Sequence, residues 1–326
     1  MRQLRQRLFG AAARALAFAT IGLLSVATGA RAADVLYATG VGSGPNAGLS
    51  GLYSLDPFNG TSTLLWNFND IHIYGGGLAY DPGADLLYAT GVEDSSTGTT
   101  RLFAIDRYSG VATAIGPVGD GLNLSFGGLA INPLTGVMYA TGAGNQSTGL
   151  FTIDKHTGAA TLVGLSGGQC CVAPFGFNIY GLGFGDDGTL WANGLTLSNV
   201  GPDFSHLYTL DLNTGAATDI GSHGVVVGRQ VTYSGLAFRQ DGVLLSMGSV
   251  DAASDGLFAI DTSTGAATSL SGSGLPYGTG PIHFGADGGL AFAPASPVPE
   301  PETDALMLGG LALIGFVARR RTRASR

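Results

Sequence analysis

The sequence predicts an all-β fold, a five-bladed β-propeller. Three observations carry it: a motif repeated five times about every 50 residues, four short strands in each repeat, and chain ends that divide one repeat between them. The motif reads Leu52-Tyr-Ser-Leu-Asp56, Leu102-Phe-Ala-Ile-Asp106, Leu150-Phe-Thr-Ile-Asp154, Leu207-Tyr-Thr-Leu-Asp211 and Leu257-Phe-Ala-Ile-Asp261. Each copy is followed at a fixed offset by glycine (Gly60, Gly110, Gly158, Gly215, Gly265) and then by threonine.

Two further patterns share the period. Leu-Tyr-Ala-Thr-Gly or a relative begins at Leu36, Leu87, Met138, Leu190 and Leu244, and Gly-Leu-Ala-aromatic or a relative centres on Leu78, Leu129, Leu182, Leu236 and Leu290. The small, apolar Gly-Leu-Ala strand suits the crowded innermost position of a blade. Leu-Tyr-Ala-Thr-Gly follows as second strand and the alternating Leu-Phe-Ala-Ile-Asp as third. Ala-Thr-x-x-Gly lies outermost. The turns between them hold Gly, Asn-Pro and Asp-Gly.

The chain ends choose between a closed ring and an open stack of repeats. The repeat region starts with a second strand (Val35 to Gly40) and finishes with an unpartnered first strand (Gly289 to Phe292). Pairing the C-terminal innermost strand with the N-terminal strands makes a fifth blade and removes both exposed sheet edges. That closure sets Ala33 and Pro294 on the face of the first-to-second-strand turns, so a stiff Pro-rich spacer leaves from there and the opposite, loop-bearing face points outward. The order of strands resembles NHL-like extracytoplasmic propeller repeats.

Both ends of the chain read as targeting segments. Arg2, Arg5 and Arg7 open a basic start, an apolar run follows from about Ala15 to Ala27, and Ala30-Arg31-Ala32 suits signal-peptidase cleavage. An uncleaved anchor helix is the alternative, opposed by the short apolar run. At the other end come Val298-Pro299-Glu300-Pro301-Glu302, an uncharged run from Ala305 to Ala318, and Arg319-Arg320-Arg321. Fourteen helical residues reach about 21 Å against a hydrocarbon core of about 30 Å. Snorkelling arginines and local thinning close such a gap. The basic cluster stays cytoplasmic and the body lies outside.

This tail resembles the PEP-CTERM sorting signal of Gram-negative bacteria. The resemblance implies recognition by an exosortase, anchoring in the inner membrane, cleavage near Pro299-Glu300-Pro301, and an association with exopolysaccharide and the cell surface or extracellular matrix. The chain then divides into a signal peptide (1–32), the propeller (33–294), a linker with the Pro-Glu-Pro motif (295–304), a transmembrane helix (305–318) and a basic cytoplasmic tail (319–326).

Charge follows the same division. Between Ala33 and Pro297 stand 20 acidic residues against five basic ones, so the body carries about −15 and repels nucleic acid. The repeated aspartates Asp56, Asp106, Asp154, Asp211 and Asp261 sit on five different blades, each heading an Asp-x-x-(Asn/Ser/Thr)-Gly turn, and are expected to build turns rather than hold metal. Asp186-Asp187-Gly188 reads as another turn. No calcium loop, catalytic triad, paired-carboxylate spacing or phosphate loop is present, and no cofactor is implied.

The long loops on the outward face collect aromatic and ionisable groups, the usual setting of a ligand site on a rigid scaffold. They carry Trp66, Phe126, Phe175, Phe177, Tyr277 and Phe284, and the candidate ligand-binding residues His72, Tyr74, Tyr180, His223, Arg229, Tyr233 and His283. The bland reading is that the rings merely pack the loops down. Cys170-Cys171, in the longest such loop, points to a vicinal disulfide in an oxidising compartment, with bridges to another chain as the alternative. Three functions follow: a binding or structural module for an extracellular glycan or surface protein, a polysaccharide lyase or hydrolase working from those loops, or a surface protein with no ligand. The first fits the missing catalytic constellation best.

Overall fold

The structure is a computed structural model that describes residues 34–42, 50–68, 71–73, 77–92, 99–119, 122–124, 127–144, 147–169, 177–196, 205–224, 231–249, 255–270, 282–283 and 288–295. The segments expected to form the signal peptide, the transmembrane helix and the basic tail, and all of the expected linker but Ala295, lie outside the described residues. Asp34–Ala293 is one compact unit.

Every regular element among the described residues is a strand, and the strands form five antiparallel sheets. The first holds β1 (Val35–Gly42), β2 (Ser50–Leu55) and β3 (Ser62–Asn67). The second holds β4 (Leu78–Asp81), β5 (Leu86–Val92), β6 (Thr100–Ile105) and β7 (Ala112–Pro117). The third is β8 (Leu122–Asn123), β9 (Leu129–Ile131), β10 (Met138–Gly144), β11 (Ser147–Ile153) and β12 (Ala160–Gln169). The fourth is β13 (Phe177–Phe184), β14 (Leu190–Thr196), β15 (Ser205–Leu210) and β16 (Ala217–Ser222). The fifth is β17 (Thr232–Phe238), β18 (Leu244–Ser249), β19 (Asp255–Ile260) and β20 (Ala267–Ser269). Last in the chain, β21 (Ile282–His283) and β22 (Leu290–Ala293) return to the first sheet and pair with β1. The pairs Val35↔Ala293 and Ala38↔Leu290 close the ring as the split repeat requires.

The core is not at one centre. It comprises five apolar clusters, one between each pair of neighbouring blades. The period-two alternation of a strand feeds two of them at once. Leu36 and Ala38 pack against Leu245 and Met247 of the fifth blade, while Tyr37 packs with Leu87 and Phe103 of the second.

Near the axis the blades meet backbone to backbone. A Cβ built on Gly77 would stand 1.9 Å from Leu129 N, on Gly128 2.3 Å from Leu182 N, and on Gly181 2.7 Å from Ser234 O. On Gly235 it would stand 2.6 Å from Leu290 N, and on Gly289, in the last repeat, 2.3 Å from Leu78 N. The glycine of the Gly-Leu-Ala motif is therefore the contact that carries each innermost strand to the next. An outer set of contacts explains the glycine of Ala-Thr-x-x-Gly. Gly116, Gly164 and Gly221 lie against the carbonyls of Thr157, Thr214 and Thr264, in the Asp-headed turn of the following blade. In the first blade Trp66 takes that place and covers Gly110.

The Asp-headed turns form as expected. Asp106 accepts N–H bonds from Tyr108 and Ser109, Asp154 from His156 and Thr157, and Asp211 from Asn213 and Thr214. Gly60, Gly110, Gly158, Gly215 and Gly265 then take φ between 70° and 79°. Backbone N–H bonds, first among their causes, hold Asp106, Asp154 and Asp211 below the usual carboxylate range.

Buried polar groups tie second strands to the next blade. Thr90 Oγ1 donates to Leu124 O at 3.2 Å, and Asn193 Nδ2 donates to Ser234 O at 2.9 Å and to Ser246 Oγ at 2.8 Å. His223 belongs to this system. It is 2 % exposed, with Nδ1 at 2.7 Å from Gly265 O and Nε2 at 3.0 Å from Asn193 Oδ1. Tyr233, 1 % exposed, tilts against the imidazole at 4.4 Å. The structure thus places His223 and Tyr233 in the interior between the fourth and fifth blades. Burial, the leading cause, pulls the His223 pKa down to about 4.

Two measurements test these contacts. Gly128→Ala forces a methyl into the Leu182 backbone and is expected to cost at least about 1–3 kcal/mol in denaturant unfolding. Gly83→Ala, whose nearest neighbour is the Asp81 carboxylate at 3.2 Å, is expected to stay within about 0.5 kcal/mol of the parent. For His223 the folded pKa lies below the unfolded value, so the folded state binds its proton more weakly. Its contribution is complete above pH 6.5 and is lost as pH falls from 6.5 through about 4, on the order of 3 kcal/mol. Unfolding midpoints taken across that range should slope in the parent and flatten in His223→Asn, which should also be less stable at pH 7.

Candidate functional site

The two ends of the propeller axis differ in chemistry. At the loop-bearing end, ladder register brings together residues that are far apart in sequence. The residue that follows the recurring second-strand glycine pairs with His283 in the first blade (Val41), His72 in the second (Val92) and Asn123 in the third (Ala143). It pairs with Asn178 in the fourth (Leu195) and Thr232 in the fifth (Ser249). All five equivalent positions carry a polar side chain. Each is flanked by apolar residues, as in Ile71-His72-Ile73, Leu122-Asn123-Leu124 and Val231-Thr232-Tyr233. The flanking Ile73, Leu124, Ile179 and Val231 are buried between blades, whereas His72 and Thr232 are half-exposed. Strand alternation accounts for that contrast.

Two of the candidate residues, His72 and His283, therefore occupy equivalent positions on adjacent blades. Tyr180 lies half-buried in β13, two residues beyond Asn178. Tyr74, Arg229, Cys170, Cys171 and the sorting-signal residues Pro299, Glu300, Pro301, Arg319, Arg320 and Arg321 lie outside the described residues. Among the described residues no group of His, Cys, Asp and Glu is disposed to hold a metal ion.

At the other end, where innermost strands turn into second strands, the axis opens into a mouth of about 170 Å³. Its depth is lined by Leu78, Leu129, Leu182, Leu236 and Leu290. The next ring out is Tyr80, Ile131, Phe184, Phe238 and Phe292, at equivalent positions of the five blades, and Asp186 and Pro133 also line it. Phe184 rests on Tyr139 at 5.7 Å and Phe238 meets Trp191 edge-on at 6.4 Å, so the rings are held by the preceding blade.

A polar cluster stiffens one side of this mouth. Tyr80 donates to Asp85 Oδ1 at 2.9 Å and Tyr108 to Asp85 Oδ2 at 3.0 Å. Arg107, 4 % exposed, donates Nε–H to Asp85 Oδ1 at 2.9 Å and lies over the Tyr108 ring at 4.3 Å. Burial opposes the charge of Asp85, but bonds from Tyr80, Arg107 and Tyr108 hold its carboxyl below the usual range. Burial first, and then the bond to Asp85, pushes the Tyr80 phenol up to about 12, so it stays a neutral donor. Beside the cluster Lys155 pairs with Asp81 at 2.5 Å, and across the face Arg239 pairs with Asp241 at 2.8 Å.

No curated protein matches this sequence. Among solved structures the chain is similar to TolB from Acinetobacter baumannii, at 14 % identity and a TM-score of 0.47, over 80 % of this chain and 67 % of that one. It is similar to a chain of the nidogen/laminin complex at 14 % identity and a TM-score of 0.45, over 74 % and 80 % of the two chains. The periplasmic gluconolactonase PpgL of Pseudomonas aeruginosa gives 15 % identity and a TM-score of 0.40, over 72 % and 82 %. Likeness of this degree says nothing of what the chain binds or does. Residues 297–321 match the family model of the PEP-CTERM protein-sorting motif, which implies export, membrane sorting and processing by exosortase. The chain is a five-bladed β-propeller that carries a PEP-CTERM sorting signal at its C-terminus.

Proposed function

We propose that the protein is a binding module of the cell surface or extracellular matrix, and that its ligand is an extracellular glycan engaged at the loop-bearing end of the axis. On this reading a signal peptide directs export, and the helix at 305–318 holds the protein at the inner membrane. Exosortase then cuts near Pro299-Glu300-Pro301. The observation that carries the binding site is the ring of five polar register positions, His283, His72, Asn123, Asn178 and Thr232. Imidazole, carboxamide and hydroxyl groups both donate and accept hydrogen bonds, as sugar hydroxyls do. Five such residues at equivalent ladder positions of the five blades supply polar groups without the fixed charge that a polyanion would need. The acidic body already disfavours nucleic acid.

Two experiments bear on this. In a host that lacks exosortase the intact tail is expected to stay in the membrane fraction; release into the medium there contradicts the sorting scheme. The purified protein is expected to bind a restricted set of neutral glycans on an array, with and without calcium. His72→Ala and His283→Ala should each weaken that binding about tenfold or more, the loss of roughly 1.4 kcal/mol of hydrogen bonding. An array with no glycan bound, or variants that bind as the parent does, rules the proposal out.

A further inference from the structure

Of the five polar ladder positions, the one at His72 has the shortest ladder. Asn178 and Thr232 belong to strands of eight and seven residues, and Asn123 and His283 to strands of two. His72 makes an isolated bridge. Its N–H donates to Val92 O at 2.9 Å, and Val92 N–H donates to His72 O at 3.0 Å. Two backbone bonds at a single residue give little protection against local opening, so the segment needs further support.

That support comes from Ser50, the first residue of β2 in the first blade. Ser50 O accepts from Phe68 N at 2.8 Å, and Phe68 O accepts from Ile71 N at 3.0 Å. Ser50 Oγ accepts from Ile73 N at 2.9 Å. One residue therefore holds the crossover between the first and second blades at Phe68 and again at Ile73. The amides of Ile71, His72 and Ile73 are all paired as a result. Ser50 is buried, as are Phe68 and Ile73 in the apolar cluster between these blades. Water cannot readily replace the hydroxyl there, so its loss would leave the Ile73 N–H without a partner.

A hydroxyl recurs at this position in other blades. Thr100, Thr148 and Ser205 pair with Val92, Ala143 and Leu195 as Ser50 pairs with Val41, and all four hydroxyl residues are buried. Thr100 and Ser205 repeat the carbonyl half of the arrangement: Thr100 O accepts from Val118 N at 3.1 Å and Ser205 O from His223 N at 2.9 Å. They do not repeat the other half, for Thr100 Oγ1 and Ser205 Oγ make no hydrogen bond among the described residues. The hydroxyl is put to use where the polar position has the least ladder of its own.

We propose that Ser50 is the positioning residue of His72: it fixes the backbone that presents the imidazole and acts on a ligand only through it. A backbone held at residues 71 to 73 leaves the imidazole its own two torsions, so less freedom is lost on binding. The consequence for binding rests on the glycan reading above; the fixing of the segment does not.

Amide hydrogen exchange followed by NMR on the purified protein tests the fixing with no ligand present. Ser50→Ala is expected to speed exchange at His72, Ile73 and Val92 about tenfold, the loss of one buried hydrogen bond from a local opening. Amides of β15 and β19 should keep the parent rates, and the thermal midpoint should stay near the parent value. Ser50→Thr, which keeps the hydroxyl and matches positions 100 and 148, should restore slow exchange. If Ser50→Ala does not fold, Ser50→Cys takes its place with the same expectations, because a thiol fills the space but accepts hydrogen bonds poorly. Unchanged exchange at the three amides, equal acceleration in β15 and β19, or no rescue by Ser50→Thr overturns the proposal. With a glycan identified on the array, Ser50→Ala should weaken its binding about threefold or more, but no further than His72→Ala does. It should add nothing in a His72→Ala background and keep its full effect in His283→Ala. Parent-like binding by Ser50→Ala, or additivity with His72→Ala, overturns the positioning role. An array with no glycan bound removes the glycan reading and leaves the exchange rates to decide on Ser50.

Discussion

The structure depends on one constraint, the approach of five innermost strands to a common axis. Gly77, Gly128, Gly181, Gly235 and Gly289 permit it, because each touches the backbone of the next innermost strand where a side chain would collide. The contact of Gly289 with Leu78 completes the circle, and it exists only because β22 returns to pair with β1. Close approach at the axis in turn spaces the blades so that each cleft between them is filled by one apolar cluster. Loss of the closing strand would expose two sheet edges and two half-clusters together. Closure is therefore a cooperative property of the ring rather than of any blade.

The fold was largely legible in the sequence, because a repeat multiplies weak signals. One Leu-Phe-Ala-Ile-Asp is an ambiguous strand; five at a fixed spacing, each with a glycine at φ near 75°, are blades. The split of one repeat between the two ends carried the closure. The site was less legible. His72 and His283 stood out as histidines in long loops, but Asn123, Asn178 and Thr232 are unremarkable residues. Their shared position emerges only from pairing with β10, β14 and β18. The pairing segments at His72, Asn123 and His283 are one or two residues long, too short for periodicity to register. The signal that was there is the recurring apolar–polar–apolar triplet ahead of each Gly-Leu. His223 shows the converse difficulty. A histidine beside a glycine-rich segment reads as a loop residue, yet its ring is spent on Gly265 O and Asn193 in the interior.

The two ends of the axis differ because the same strands meet different demands there. Where the second strands end and the chain crosses between blades, backbone groups need partners. Hydroxyls and amides such as Thr141, whose Oγ1 accepts from Gly128 N at 2.9 Å, are buried to supply them. At the opposite end the short turns satisfy themselves through aspartate and asparagine side chains, such as Asp81 with Gly83 N and Asn132 with Leu134 N. The strand ends beside those turns are then free to be apolar. Large rings gather there because the blades diverge from the glycine contacts and leave space to fill. The aromatic mouth and the polar ring are both consequences of the glycine pinch.

Departures from five-fold symmetry show where the chain has accepted strain. Asp85 takes φ +54° at the turn position where the third blade has Gly136 at +71°. A left-handed non-glycine residue costs about 1–2 kcal/mol, less for aspartate than for a β-branched residue. In return its carboxylate gathers Tyr80, Arg107 and Tyr108, and the second of these is a buried cation. Glycine at position 85 would relax the backbone and remove the carboxylate that faces the buried guanidinium. The balance favours the strained aspartate, and the result is that Tyr80, the ring member at the mouth with a polar tip, is held in place by its bond to Asp85. A position chosen against local backbone preference, and repaid by fixing a residue at an opening, is what distinguishes the second blade from its sisters.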